Sequence, residues 1–219
     1  VFIQVIQAPI QALVQASIQG PAGSADALRA ASYRWTHELG STSIGWLGCT
    51  SGVTEDGTFF SAERFESEQK AILEGGRPGR RRWWTEMSRN LTGEVTFVNC
   101  RDVEVYAPDP TAVDKAGYVQ IVQGRVKDAT LMRALLRSMA KEMSLDRQDL
   151  LGSTLALHPD DGYTHILYFT SEDDALAAED RETPPRIKSI MDTIYELHVT
   201  SPRYHLLTAP WIHSRRETR

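Results

Sequence analysis

Residues 46–71 can be laid without a gap on residues 150–175, and no other feature constrains the fold as strongly. Leu47, Gly48, Thr50, Asp56, Phe65, Ser67, Glu68 and Ala71 find identical residues at Leu151, Gly152, Thr154, Asp160, Phe169, Ser171, Glu172 and Ala175. Upstream, Phe2-Ile-Gln-Val-Ile-Gln7 resembles Tyr118-Val-Gln-Ile-Val-Gln123; downstream, residues 94–105 parallel 196–207 in their β-rich character. A chain of 219 residues has room for two cores of roughly 100 residues each. The repeat therefore predicts two diverged copies of one module, fused in tandem.

Each copy reads in the same order. The short β-branched runs Phe2–Gln7 and Tyr118–Gln123 predict strands. A helix follows in each: Ser24 offers an N-cap for a face of Leu28, Ala31 and Trp35, and Asp128 precedes Leu131, Leu135 and Met139 at fourfold spacing. Hairpins are predicted from Trp46–Val53 with Thr58–Phe65, and from Leu150–Leu157 with Tyr163–Phe169, around Thr-Glu-Asp-Gly and His-Pro-Asp-Asp-Gly turns. Ser67 and Ser171 stand before acidic residues that suit a helix N-terminus. The second helices carry Trp84, Met87 and Leu91 in one copy and Ile187, Ile190, Met191 and Ile194 in the other, before a closing strand. The order β-α-β-β-α-β is the split-βαβ, ferredoxin-like arrangement, an α+β fold with both helices on one sheet face. The expected partition is a first module over residues 1–107, a linker rich in proline and small residues over 108–117, a second module over 118–213 and a charged tail over 214–219.

A net charge of −5 opposes broad binding to nucleic acid or to an anionic membrane, both of which need a positive field. Neither partner is expected. Cys49 and Cys100 are far from any metal-ligand spacing, so a reducing compartment and no structural zinc are expected. The N-terminal stretch lacks a basic start and is interrupted by Gln4, Gln7, Gln11, Gln15 and Gln19, which argues against a signal peptide and for a cytoplasmic protein. Gly75-Gly-Arg-Pro-Gly79 follows a helix instead of a strand, so it is no phosphate loop.

Element order, the Gly-Trp-Leu-Gly strand entry at Gly45–Gly48, the Phe-Glu-Ser-Glu step at Phe65–Glu68 and the paired Trp83 and Trp84 together resemble a known family. It is the antibiotic-biosynthesis-monooxygenase-like branch of the dimeric α/β-barrel superfamily. The resemblance covers nearly the whole chain and implies two ferredoxin-like modules packed as an intramolecular dimeric α/β barrel. It further implies a pocket in each half between sheet and helices, where relatives hold aromatic or polycyclic molecules or haem. Some relatives oxidise phenolic polyketides with oxygen and neither metal nor flavin, others degrade haem, and fold alone does not choose between them. The helix histidine that haem-degrading relatives use is missing from Arg82-Trp-Trp-Thr and Arg186-Ile-Lys-Ser, so no cofactor is expected.

Arg80-Arg-Arg82 before Trp83 and Trp84 is the most unusual local composition: a tryptophan can wall a pocket while an arginine such as Arg82 stabilises an enolate or phenolate. The alternative is that one Trp is core, the other lies at the barrel seam and the arginines are solvated. First-strand amides hold substrate or oxygen in relatives, and the resemblance matches Gln7 and Gln123 to them, where relatives often carry Asn. His165 and His198 fall on strands as candidate general bases. The site expected from sequence is thus Gln7, Arg82, Trp83, Trp84 and His165, without metal.

The first copy carries 12 extra residues at Ala8–Gln19, with glutamine at every fourth position and Ile10, Leu13, Val14 and Ile18 as an apolar face. They can form a helical lid, a surface loop or a helix docked on another subunit. The expected activity is cofactor-independent monooxygenation, or a related polyketide modification, of an aromatic substrate. A non-catalytic ligand-binding or stress-response protein is the alternative. Because the copies have diverged, at most one competent site is expected.

Overall fold

The computed structural model of the chain describes residues 1–10, 22–107, 109 and 111–215. Its elements run β1 (Phe2–Pro9), α1 (Ala22–Arg34), β2 (Trp46–Val53), β3 (Thr58–Phe65), α2 (Glu68–Gly75), α3 (Pro78–Ser88), β4 (Thr96–Cys100) and β5 (Asp102–Tyr106). They continue with β6 (Tyr118–Arg125), α4 (Ala129–Asp146), β7 (Leu150–Leu157), β8 (Gly162–Phe169), α5 (Glu172–Glu179), α6 (Pro185–Leu197), β9 (Arg203–Leu207) and β10 (Trp211–Ser214). The strands form two antiparallel five-stranded sheets, ordered β10-β2-β3-β1-β4 and β5-β7-β8-β6-β9. Both hairpins form in the places their alternation predicts. Each copy is a ferredoxin-like module with one additional edge strand.

The additional strands come from where the sequence suggested a single closing strand. The run from Thr96 to Tyr106 breaks at Arg101; β4 pairs with β1, whereas β5 pairs with β7. Likewise β9 pairs with β6, and β10 pairs with β2. The compact units are therefore Val1–Arg101 with Ala209–Arg219, and Asp102–Thr208, and the chain divides after Arg101 and Thr208 instead of at 108–117. Paired glycines make room for the added strands. β2 and β7 both carry a bulge just before Gly48 and Gly152. Gly48 sits at φ 151°, where a Cβ would collide with the carbonyl of His213 on β10; a Cβ at Gly152 would press on Tyr106 and Ala107 beside β5. The Leu-Gly repeated in both copies is thus the docking notch of a fifth strand.

Caps follow the sequence signals. Ser67 accepts from the amide of Lys70 at 3.3 Å, Ser171 from that of Asp174 at 3.1 Å and Asp128 from that of Leu131 at 2.8 Å. Ser24, in contrast, lies inside α1, which starts at Ala22. Leu28, Ala31 and Trp35 are buried as expected, with Trp35 opening a π-helical turn that extends to Leu39. On α4 the buried face is one residue further on than expected: Met132 and Leu136 enter the core with Met139 packed beside them, and Leu131 is exposed. Two apolar pairs, 131/135 and 132/136, have the same spacing; ion pairs from Arg133 to Asp102 and from Arg137 to Glu104 accompany the second choice. Of the insertion, Ala8 and Pro9 extend β1, Ile10 bridges Leu91, and residues 11–19 lie outside the described residues. No described helix is long and apolar enough to cross a membrane.

Candidate active site

In the first unit, strand register lays five residues in one row across the sheet: His213 (β10), Cys49 (β2), Glu63 (β3), Gln4 (β1) and Asn99 (β4). Partners across antiparallel strands share a face, and Cys49 belongs to the core cluster with Leu28, Trp35 and Trp83, so this is the helix-facing side. A row of polar side chains at the centre of a hydrophobic layer costs desolvation unless its members are paired. They are. The α3 guanidinium of Arg80 reaches down to Glu63, with Nη2 donating to the two carboxylate oxygens at 2.7 and 2.6 Å, and the Gln4 amide donates to Asn99 Oδ1 at 2.9 Å.

The ion pair is deeply buried, its side chains being 9% and 3% exposed. Aromatic rings hold the arginine from two sides, with its Cζ 4.2 Å from the Trp35 ring centre and 4.4 Å from that of Trp83. Desolvated contacts of this kind contribute about 2 kcal/mol. Trp83 is itself fixed, donating from Nε1 to the Ala31 carbonyl at 2.7 Å. Arg80 Nη1 has no hydrogen-bond partner among the described residues. Burial, reinforced by the nearby Glu63 charge, pushes the Cys49 thiol up to about 12, so it is not a thiolate nucleophile at neutral pH.

Arg80 and Gln4 border a groove of about 310 Å³, together with Arg81, Trp84 and Phe97. Trp84 is half-buried and packs 5.4 Å from Phe97, which is 50% exposed on the edge strand β4. The groove therefore has an aromatic wall, with the guanidinium of Arg80 and the amide of Gln4 in its lining.

Of the residues singled out from sequence, Trp84 lines this groove, whereas Trp83 is a buried core residue beneath Arg80. Arg82 is exposed on α3, and Arg80 and Arg81 border the groove. Gln7 lies three residues from Gln4, on the opposite face of β1. Gln123 donates to Thr164 at 2.9 Å, and His165 is buried in the second unit, where burial depresses its imidazole to about 4. Glu63 and Arg80 were missed. The signal was the repeat itself: Glu63 aligns with Leu167, and, counting from the prolines that open α3 and α6, Arg80 aligns with Ile187. Ile187 is buried like Arg80, so one copy fills with hydrocarbon the place where the other keeps charge.

No family model matches the sequence, and no curated protein matches it in sequence. Solved structures do match in three dimensions. A proposed monooxygenase from Fusobacterium nucleatum subsp. nucleatum superposes with TM-score 0.72 at 9% identity, covering 98% of this chain and 94% of that one. One from Lactobacillus acidophilus NCFM gives TM-score 0.68 at 10% identity, over 97% and 99% of the two chains. An anthrone oxidase-like protein gives 0.66 at 7% identity, over 97% and 93%. Each copy has the ferredoxin-like fold. The ferredoxin-like module is the one implied by the resemblance read from the sequence, and at these identities the likeness is one of fold. The chemistry rests on the groove.

Proposed function

We propose that the first unit is a cofactor-independent monooxygenase site for an aromatic or polycyclic substrate bearing an acidic phenol or enol. The carrying observation is the buried Glu63–Arg80 pair, whose arginine lines a Trp84–Phe97 groove, in a position where the second copy is content with Leu167 and Ile187. A buried ion pair is no more stabilising than a well-packed apolar pair of the same volume, so stability does not explain its retention. A site that stabilises developing negative charge does.

In this reading the rings of the substrate stack on Trp84, and its ionised oxygen meets Arg80 or Arg81 and the Gln4 amide. The ionised substrate is the reductant and dioxygen the oxidant. An anthrone-type methylene loses a proton, the carbanion forms a C–O bond with dioxygen, and the O–O bond breaks as water leaves. The methylene thus gives up both hydrogens and becomes a carbonyl; one atom of dioxygen ends in that carbonyl, and the other departs with the two hydrogens as water. Arg80 lowers the energy of the anion, Glu63 holds Arg80 in place, and the aromatic wall excludes water from the ring face.

Oxygen uptake with anthrone as probe, in metal-free buffer, tests the proposal. Equimolar oxygen consumption with formation of the quinone, lost in Arg80→Ile, is expected; uptake no faster than in buffer refutes it. One observation favours the non-catalytic alternative: both Glu63 oxygens are engaged by Arg80, so that carboxylate is not free to act as a base. Under that alternative, ligand binding raises the melting temperature with no oxygen uptake.

A further inference from the structure

The helices α2 and α5 have the same length and end in the same backbone turn. Arg77 N donates to the Glu74 carbonyl at 3.0 Å and Arg181 N to that of Ala178 at 3.4 Å, so Arg77 and Arg181 are equivalent positions. Their surroundings differ. In the first copy the Glu74 carboxylate, 2% exposed, accepts from Arg77 at 3.1 Å and from the Ile44 amide at 2.6 Å. Lys70 lays its aliphatic chain on Gly45, where a Cβ would collide with it, and its ammonium pairs with Glu66. One carboxylate and one ammonium of α2 thus fill this corner of the first module.

The second copy has neither. By the repeat, Ala178 stands for Glu74, Ala177 for Leu73, Asp174 for Lys70 and Asp149 for Gly45. A cavity of about 500 Å³ lies there, lined by Gln148, Asp149, Thr170, Asp174, Ala177 and Arg181. Asp149 is already matched, because Arg147 donates to its oxygens at 2.8, 3.1 and 2.6 Å. Asp174 Oδ2 accepts from the hydroxyls of Thr170 and Ser171 at 2.6 and 2.7 Å. Those hydrogen bonds hold its carboxyl below the usual range, so it stays charged at neutral pH. Arg181 has no carboxylate partner among the described residues, although its equivalent has Glu74. The cavity therefore presents a guanidinium without its anion and, two helical turns or about 10 Å away along the axis, an anion where the first copy has a cation. Ala177 lies between them.

We infer that this cavity binds a small zwitterion whose charges are separated by a short alkyl chain, an ω-amino acid. Its carboxylate pairs with Arg181 as that of Glu74 does with Arg77, its ammonium pairs with Asp174, and its methylenes cross Ala177. The ligand supplies the two groups that the first copy carries on its own side chains. A molecule with only one of the charges leaves either Arg181 or Asp174 unmatched. The site is independent of the activity proposed for the first unit.

Calorimetric titration of the full chain with 6-aminohexanoate, hexanoate and hexylamine tests the inference. The zwitterion should saturate one site per chain, at least about tenfold more tightly than either singly charged analogue, the worth of one charge-assisted hydrogen bond. Asp174→Lys and Arg181→Gln, both at exposed positions that do not threaten folding, should each weaken 6-aminohexanoate about tenfold. Ala178→Glu, which restores the residue of the first copy, should block binding by pairing with Arg181 from within. Hexanoate or hexylamine binding as tightly as the zwitterion overturns the inference. So does an affinity indifferent to Asp174→Lys and Arg181→Gln, or no saturation by 6-aminohexanoate up to about 10 mM.

Discussion

Replacing Glu63 and Arg80 together by the residues of the second copy separates a stability role from a functional one. Glu63→Leu alone leaves the Arg80 guanidinium, 9% exposed, without its counter-charge between two indoles; Arg80→Ile alone strands a carboxylate that is 3% exposed. Each single change should destabilise by about 3–5 kcal/mol, the usual cost of an uncompensated buried charge. The double substitution restores the apolar Leu–Ile pair that the same fold already accepts at Leu167 and Ile187, so it should cost no more than about 2 kcal/mol, chiefly the lost cation–π contacts. The cycle therefore predicts a double variant at least about 4 kcal/mol more stable than the sum of the single effects. Urea unfolding followed by tryptophan emission is a suitable assay, because all five tryptophans, at 35, 46, 83, 84 and 211, belong to the first unit. Additive effects would refute the reasoning, since they would mean that the two side chains do not share one buried environment.

Other outcomes follow from the same geometry. Trp84→Ala should weaken binding of anthrone-type probes about tenfold while costing at most about 2 kcal/mol of stability, because Trp84 is only half-buried; titration calorimetry and urea melts read the two effects. Cys49 and Cys100, at 2% and 0% exposure with thiols pushed to about 12, should be silent to a thiol reagent at pH 8 in the native state and react fully in denaturant. His165 has its folded-state value depressed to about 4 from 6.5, so the unfolded chain takes up the proton first as pH falls. The stability that depends on its neutrality is complete above pH 6.5 and is lost progressively toward pH 4, by about 3 kcal/mol in all. His165→Phe should remove that part of the acid sensitivity, and a stability difference from the parent that does not vary over this range would contradict it.

Much of the fold was legible because alternation, caps and turns repeat twice in one chain. Ser67 and Ser171 cap as read, and both hairpins fall where Asp-Gly turns separate apolar runs. Strand exchange was not legible. Only Arg101 divides β4 from β5, and nothing in an 11-residue β-rich run says that its halves pair in different sheets. The candidate site was half visible. Composition drew attention to Arg80–Trp84, but an α-helix puts neighbouring residues on different faces, and sequence alone does not say which arginine or which tryptophan turns inward. Gln4 and Gln7 posed the same problem on a strand, where a three-residue step changes face. The divergence of the copies carried the missing information, in Glu63 against Leu167 and Arg80 against Ile187.

The most direct test of the central claim is calorimetric titration of an ionisable polycyclic phenol, 1,8-dihydroxyanthrone, into the parent chain and into the Glu63→Leu, Arg80→Ile double variant. Saturable binding to the parent is expected, with a loss of about 10- to 100-fold in the double variant, the worth of a charge-assisted hydrogen bond to the substrate oxygen. Equal affinity for the two proteins, with the double variant folded, would contradict it.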